Sequence, residues 1–181
     1  LLDIYTLNRS FLRQGGIQGK KIVMVGDLKR GRTVRSLSKL LTNYPDVTLV
    51  FISPEEFKIK EDLRSSLKLS GQSFVEHDRL TDVLNEADAV YMTRVQDEYD
   101  EDGESAEIDY SQFHLKYEHL KIMKENAVIM HPLPRRRELD PEIDKDPRAK
   151  YWRQERNGMW TRVALITMVL GVDHHILLPE L

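Results

Sequence analysis

Residues 20–36, KKIVMVGDLKRGRTVRS, contain in order a strand, a loop and the start of a helix. The apolar run 22–25 is typical of a strand that is buried on both faces. After the loop 26–31, apolar residues recur at helical spacing as far as Tyr44. A buried strand that leads through a glycine-containing loop into a helix is the repeating unit of α/β proteins, so this stretch predicts a parallel sheet.

The loop 26–31 is also a candidate anion site. A helix start offers free backbone N–H groups and the positive end of the helix dipole, and both suit an anion. Lys29, Arg30 and Arg32 add three positive charges beside it. A solvated basic turn explains a single loop of this kind equally well, so the loop alone does not identify a site.

The rest of the chain repeats the alternation of strands and helices. We predict strands at 21–26, 47–52, 73–76, 89–92 and 127–130, and helices at 2–13, 32–43, 53–71, 80–87, 146–157 and 158–170. The segment 111–125 predicts one further helix, or two in series. Ser53 as a cap and Pro54 at the first helical position predict the start of the third helix. Asn157-Gly158 predicts an interruption before the last helix, whose apolar character on nearly every side predicts that it is buried or docked.

This order of elements predicts an α/β fold, Rossmann-like and doubly wound, with a mostly parallel sheet of about five strands and helices on both faces. The 181 residues suit one domain, and a composition of 40% hydrophobic and 31% charged residues is that of a globular protein. The net charge of −3 gives no reason to expect nucleic acid or a membrane as a partner. The chain lacks cysteine, which excludes disulfides and thiolate chemistry, and we expect a cytoplasmic location.

Ligands of doubly wound sheets bind beyond the carboxyl ends of the strands. Arg32 and Arg94 follow two predicted strands, and each guanidinium can hold a carboxylate or phosphate through two hydrogen bonds. Gln96 points to the same side as Arg94 and offers both a donor and an acceptor. The three side chains suit a small dianion that also carries an amine, although a surface ion pair is the commoner role of any single arginine.

The turn His131-Pro132-Leu133-Pro134 is more distinctive. Its two prolines fix the backbone and remove two donors, so the turn presents carbonyl oxygens, which suit an amine or an amide. We predict that His131 is a structural hydrogen-bonding residue rather than a base. The other histidines have no metal-ligand spacing, and no catalytic triad is evident, so we expect no metal, no cofactor and no protein nucleophile.

Three segments in this order and spacing resemble the aspartate carbamoyltransferase family: GDLKRGRTVRSL (26–37), YMTRVQ (91–96) and MHPLPR (130–135). The opening LLDIYTL and the segment 144–166 fit the same family, so the resemblance covers essentially the whole chain. The turn HPLP favours the aspartate enzyme over its ornithine-using relative, in which a cysteine-containing turn is expected.

The resemblance implies transfer of a carbamoyl group from carbamoyl phosphate to the amine of L-aspartate, in pyrimidine biosynthesis. It implies that residues 1–181 are the amino-acid-binding domain, with 1–13 and 158–181 as interdomain helices. The implied partners are L-aspartate, carbamoyl phosphate through an N-terminal domain that is absent here, and two further copies in a homotrimer of the full-length enzyme. No nucleic acid or membrane is implied.

Roles are implied residue by residue. Arg32 and Arg94 would bind the carboxylates of aspartate, with Gln96 assisting. The carbonyls of Leu133 and Pro134 would contact the carbamoyl group and the incoming amine. Supporting positions in the two loops would be Lys29, Thr33, His131 and Pro132.

The acidic segment 97–109 departs from the family pattern, because it holds eight acidic residues and Tyr99 occupies the position of a family arginine. We hypothesise that its first part, 97–104, closes onto cations of the loop 26–31 and of Arg135-Arg136-Arg137; a solvated loop is the alternative. Two other functions stay open: a transcarbamylase with a different acceptor amine, and a non-catalytic module that binds an anion or amino acid.

Overall fold

The computed structural model describes residues 1–95 and 109–175. The strands are β1 (Lys21–Val25), β2 (Thr48–Ile52), β3 (Ser73–His77), β4 (Ala89–Met92) and β5 (Val128–Met130). The α-helices are α1 (Leu2–Phe11), α2 (Arg32–Leu41), α3 (Glu61–Leu69) and α4 (Tyr151–Val169). Short 3₁₀-helices at Leu12–Gln14, Glu55–Phe57, Ser111–Phe113, Tyr117–Lys121, Pro141–Lys145 and Asp173–His175 complete the described elements.

The strands form one five-stranded sheet in the order β3-β2-β1-β4-β5, and every pair is parallel. The predicted α/β fold with a parallel sheet is therefore confirmed. The chain leaves β1 towards one edge and returns to β4 on the other side, so the strand order reverses between β1 and β4. Loops diverge at such a switch point and leave a crevice for a ligand. Val25 at the end of β1 pairs with Met92 at the end of β4, which brings the following loops side by side.

Both faces of the sheet are buried along β1, β2, β4 and β5, which explains the continuous apolar run in β1, whereas the edge strand β3 is partly exposed. Ile22 and Met24 contribute to a core shared with α1, α2 and α3, whereas Val23 and Val25 contribute to a second core on the opposite face. That second core is covered by 3₁₀-helices, turns and the start of α4. The sheet is thus fixed from both sides, and only its edges and strand ends remain for function.

The predicted helix start at Ser53 is wrong. Glu55–Phe57 makes a single 3₁₀ turn, and α3 begins only at Glu61. The side chain of Phe57 is fully buried, and its carbonyl accepts a hydrogen bond from the N–H of Leu28 at 3.1 Å. These tertiary contacts hold the chain in a turn, because they outweigh the local capping signal.

The predicted helix at 80–87 is also wrong, because this segment forms turns. Its apolar residues are buried as expected of them: Leu80, Val83, Leu84 and Ala87. The N–H of Val83 donates to Leu80 O at 3.2 Å and the N–H of Glu86 donates to Val83 O at 3.1 Å, so the segment closes as successive turns rather than as one α-helix.

Helix α4 begins at Tyr151, so the predicted start at Asp146-Pro147 is wrong. It is continuous to Val169, so the predicted break at Asn157-Gly158 is also wrong. The Asn157 side chain donates a hydrogen bond to Thr6 Oγ1 in α1 at 2.9 Å. A Cβ atom at position 158 would lie 3.4 Å from Leu2 Cδ2. These small residues allow α1 and α4 to approach each other closely, which is why a sequence typical of a turn continues as a helix here.

The C-terminal half of α4 is exposed within this chain. Of the two predicted alternatives, burial or docking, docking on something outside this chain therefore stays a prediction. Trp160 is 57%, Ile166 58% and Val169 85% exposed. Among the helices within 1–95 and 109–175, none combines the length and the apolar character needed to cross a bilayer.

Candidate functional site

The ends of β1 and β4 touch through Gly26 and Thr93. Gly26 has φ of +115°, and a Cβ atom there would lie 2.3 Å from Thr93 O. Thr93 donates two hydrogen bonds to Val25 O, one from its N–H and one from Oγ1, both at 2.8 Å. These contacts fix the start of the segment that carries Arg94. The half-buried Arg94 donates from Nη1 to Val95 O at 3.1 Å.

Arg30 in the loop after β1 turns towards the protein. Its guanidinium lies 4.8 Å from the centre of the Phe57 ring and 3.9 Å from Oδ2 of the buried Asp27. Oδ1 of Asp27 accepts a hydrogen bond from the backbone N–H of Arg30 at 3.0 Å, which closes the loop. Arg30 therefore has a structural contact, whereas Lys29 and Arg32 are exposed.

Lys29 and Arg32 line a cavity of about 330 Å³ between the starts of α2 and α3. Arg35 on its wall forms a two-pronged ion pair with Asp62, in which Nη1 lies 2.9 Å from Oδ1. Among the described residues, no acidic side chain lies within ion-pair distance of Lys29 or Arg32. The cavity is thus positively charged and suits an anion.

The turn 131–134 is held by the buried side chain of His131. Its Nδ1 accepts a hydrogen bond from Leu133 N–H at 2.8 Å, and its Nε2 lies 2.8 Å from Glu138 Oε1. A ring nitrogen that accepts from an N–H carries no proton, so the partners assign the neutral tautomer with its proton on Nε2. His131 is therefore a hydrogen-bonding residue within the structure, as the sequence predicts. The peptide between Leu133 and Pro134 is cis.

A second cavity, of about 300 Å³, joins the turn to the start of α2. Thr33 lines it together with His131 and Pro132, and its far wall carries Asp3 and Gln154. Gln154 links the elements, since its Oε1 accepts from His131 N–H at 2.9 Å and its Nε2 donates to Asp3 Oδ1 at 2.7 Å. Three of the predicted supporting positions, from two separate segments of the chain, therefore meet at one cavity.

Asp3 supplies a test of this network by pH. Burial raises the pKa of the Asp3 carboxyl above its ordinary value of 3.8, although hydrogen bonds from Gln154 and Tyr91 act in the opposite direction. The folded chain then holds the proton more tightly than the unfolded chain. The resulting stabilisation is present below pH 3.8 and is lost as the pH rises through the raised pKa.

We therefore expect Asp3→Asn, which keeps an acceptor for Gln154 but carries no charge, to be more stable than the parent chain at pH 7. The advantage should shrink as the pH falls towards 4. Urea unfolding of both chains at several pH values measures this difference, and an advantage that is independent of pH would contradict the explanation.

Of the remaining predicted residues, the structure describes Leu133 and Pro134. Leu133 packs against the second core, and Pro134 is exposed. Gln96 and the acidic residues 97–108 lie outside the described residues.

A third cavity, of about 490 Å³, lies beside Thr93 and Val95 and is lined on its other side by His114, Arg136 and Arg137. Arg32 lines the first of these three cavities and Arg94 lines none of them, so their joint grip on one ligand stays a prediction.

The family model described as "Aspartate/ornithine carbamoyltransferase, Asp/Orn binding domain" matches residues 18–169. The chain belongs to this family. Among curated relatives, aspartate carbamoyltransferase 1, chloroplastic, of Pisum sativum is 42% identical over 174 residues, which cover 94% of this chain and 44% of the relative. The chain therefore spans less than half the length of that relative.

Solved structures of family members show the same fold. The catalytic subunit of M. jannaschii aspartate transcarbamoylase has a TM-score of 0.82 and 35% identity, over 97% of this chain and 56% of that one. Aspartate transcarbamoylase of Trypanosoma cruzi, in complex with carbamoyl aspartate and phosphate, has a TM-score of 0.79 and 31% identity over 91% of this chain and 51% of that one. The resemblance deduced from the three sequence motifs is confirmed.

Sequence reasoning missed three residues of the candidate site: Asp3, Gln154 and Glu138. The first two lie 151 positions apart, and no local pattern connects them. Glu138 lies seven positions after His131. Its only sequence signal is an acidic residue that directly follows three arginines.

Proposed function

We propose that this chain is the aspartate-binding part of an aspartate carbamoyltransferase, which moves a carbamoyl group from carbamoyl phosphate to the amine of L-aspartate. The observation that carries the proposal is the contact between Gly26 and Thr93 at the switch point. It sets the loop that leads to Arg32 beside the segment that begins with Arg94. Two guanidiniums carried by the segments that follow two neighbouring strands suit a dicarboxylate.

In this proposal the protein acts by alignment rather than by covalent catalysis. Arg32 and Arg94 hold the two carboxylates, with Gln96 assisting, and so orient the amine. The carbonyls of Leu133 and Pro134 accept hydrogen bonds from the amine and from the carbamoyl NH₂. The amine nitrogen then bonds to the carbamoyl carbon as the bond from that carbon to the phosphate oxygen breaks. The amine gives up one proton, which the departing phosphate takes, so the products are the carbamoylated amine and hydrogen phosphate. Such a reaction needs the two substrates aligned and the developing charge stabilised.

The carbamoyl phosphate site belongs to a part of the enzyme outside this chain in our proposal. Residues 1–13 and 158–181 would connect the two parts, and the exposed apolar half of α4 agrees with that role. We further propose that the full-length chain, in which residues 1–181 would be joined to that other part, is a cytoplasmic homotrimer. Light scattering tests the trimer, and cell fractionation tests the location.

We expect residues 1–181 alone to fold but to show no carbamoyl transfer, because the electrophile site is missing. Calorimetry with succinate, a dicarboxylate without an amine, tests the aspartate site in this chain directly. Formation of carbamoyl aspartate by the full-length chain tests the reaction. Transfer by residues 1–181 alone would contradict the division of the site, and absence of transfer by the full-length chain would contradict the function.

A second candidate is a transcarbamylase whose acceptor is a cationic amine. The eight acidic residues between 97 and 109 favour it, since carboxylates attract a cation and repel a dianion. Parallel assays of the full-length chain with aspartate, ornithine and a diamine separate the two candidates. Phosphate binding by residues 1–181 without succinate binding, and without transfer to any amine, would favour a non-catalytic anion-binding module.

A further inference from the structure

We propose that Glu138 is a positioning residue, which acts through His131 to hold the carbonyl groups of the turn 131–134 in the orientation that the reaction requires. This proposal rests on the function proposed above. It names a role for a residue that does not itself touch a substrate.

The contacts form a chain that ends at the backbone of the turn. The Glu138 carboxylate accepts from His131 Nε2–H, and His131 Nδ1 accepts from the N–H of Leu133, each at 2.8 Å. The side chain of His131 is 0% exposed and that of Glu138 is 12% exposed, so water competes little for either bond. The Leu133 N–H is thus fixed by a ring whose far nitrogen is fixed by Glu138.

The carboxylate selects the tautomer. With the ring proton on Nδ1, His131 would direct a donor at the Leu133 N–H, which is itself a donor, and the bond between them would be lost. With the proton on Nε2, that proton needs an acceptor, and Glu138 supplies it. A partner of this kind is the usual means by which proteins fix the orientation and tautomer of a histidine ring.

Glu138 is itself held in place. Its Oε1 also accepts a hydrogen bond from the backbone N–H of Arg136 at 2.9 Å. Burial acts to raise the pKa of Glu138, but the hydrogen bonds from His131 and Arg136 outweigh it, so the pKa is lowered and the group remains ionised near neutral pH. The carboxylate therefore joins the two ends of the segment 131–138.

These contacts determine the direction in which the carbonyl groups of the turn 131–134 point. When the N–H of Leu133 is fixed, the peptide plane before it is fixed too, and with it the carbonyl of Pro132. The carbonyls of Leu133 and Pro134 follow within the same rigid turn. A carbonyl acceptor aligns a reacting amine only while its direction is constant, and small misplacements lower the rate strongly.

The first test reads the ring itself, in the 181-residue chain, by ¹⁵N NMR of the histidine side chains. We expect the neutral Nε2–H tautomer for His131 in the parent chain. Glu138→Ala should give a mixture of tautomers and at least tenfold faster hydrogen exchange at the Leu133 amide. The matched control is Glu142→Ala, an exposed acidic residue four positions further along the chain, which should change neither. An unchanged tautomer and unchanged exchange in Glu138→Ala would overturn the proposal.

The second test is a double-mutant cycle on carbamoyl transfer by the full-length chain. His131→Asn keeps an acceptor for the Leu133 N–H, because an asparagine oxygen occupies the place of Nδ1, but it has no group that can reach Glu138. We expect Glu138→Ala to lower kcat/KM for aspartate roughly tenfold in the parent and less than about twofold in His131→Asn. An equal loss in both backgrounds would show that Glu138 acts by another route and would overturn the proposal.

The two tests also separate this proposal from the function on which it rests. If the full-length chain transfers no carbamoyl group to any amine, the proposed function is wrong. The NMR result then still decides whether Glu138 fixes His131. If transfer occurs but the cycle shows no coupling, the function stands and the positioning role is wrong.

Discussion

Arg94→Ala should abolish recognition of dicarboxylates in the full-length chain. One carboxylate of the substrate would then be desolvated without a partner, which costs about 3–5 kcal/mol of transition-state stabilisation. The corresponding fall in kcat/KM for aspartate is roughly 150- to 4,000-fold. Arg94→Lys should be nearly as damaging, because an ammonium group cannot form two parallel hydrogen bonds to a carboxylate.

The measurement is steady-state kinetics with aspartate together with succinate inhibition. Arg79→Ala serves as the matched control, since Arg79 is an exposed arginine that follows the outer strand β3. Urea unfolding of Arg94→Ala checks that the fold survives. Near-normal affinity of Arg94→Lys for aspartate would show that Arg94 is not a two-pronged clamp.

Most of the sheet could be predicted from sequence because β1, β2, β4 and β5 each lie in a short apolar run. Residues 22–25 and 49–52 face a core on both sides, so nothing in their pattern conflicts with their position. Where a local signal and a tertiary contact disagree, the sequence prediction fails. The cap at Ser53 is overridden by the buried Phe57, and the turn signal at Asn157-Gly158 is overridden by the packing of α1 on α4.

The candidate site likewise contains residues that could be predicted from sequence and residues that could not. The arginines and the turn 131–134 could be found because each is a compact motif of unusual composition. Gln154 could not, because it connects His131 to Asp3 and therefore has meaning only once α1, α4 and the end of β5 are assembled. Arg30 looked like one more free cation in the sequence, yet its contacts with Asp27 and Phe57 give it a structural role. Composition reveals which charges are present, and only packing decides where they point.

Gly26→Ala should lower the free energy of unfolding more than any other addition of a single methyl group at the site. The position has φ of +115°, which residues with a side chain rarely adopt, and the new Cβ would lie 2.3 Å from the backbone oxygen of Thr93. Backbone strain and overpacking each cost about 1–3 kcal/mol, so we expect a loss of roughly 4 kcal/mol in the free energy of unfolding. That is a large share of the ~5–15 kcal/mol available to a domain.

Gly71→Ala separates the two contributions. Gly71 also has a positive φ, of +70°, but nothing lies within 4 Å of the Cβ that would be added. It should therefore show the backbone cost alone, about 1–2 kcal/mol. Urea unfolding gives both values, and equal losses would mean that the approach of Gly26 to Thr93 does not matter.

If the loss at Gly26 is larger, relief of the clash must move Thr93 and with it Arg94. The same substitution should then weaken succinate binding, whereas Gly71→Ala should leave it unchanged. The loss of stability and the loss of succinate binding in Gly26→Ala would then have one cause, the displacement of Thr93 and of the proposed substrate clamp.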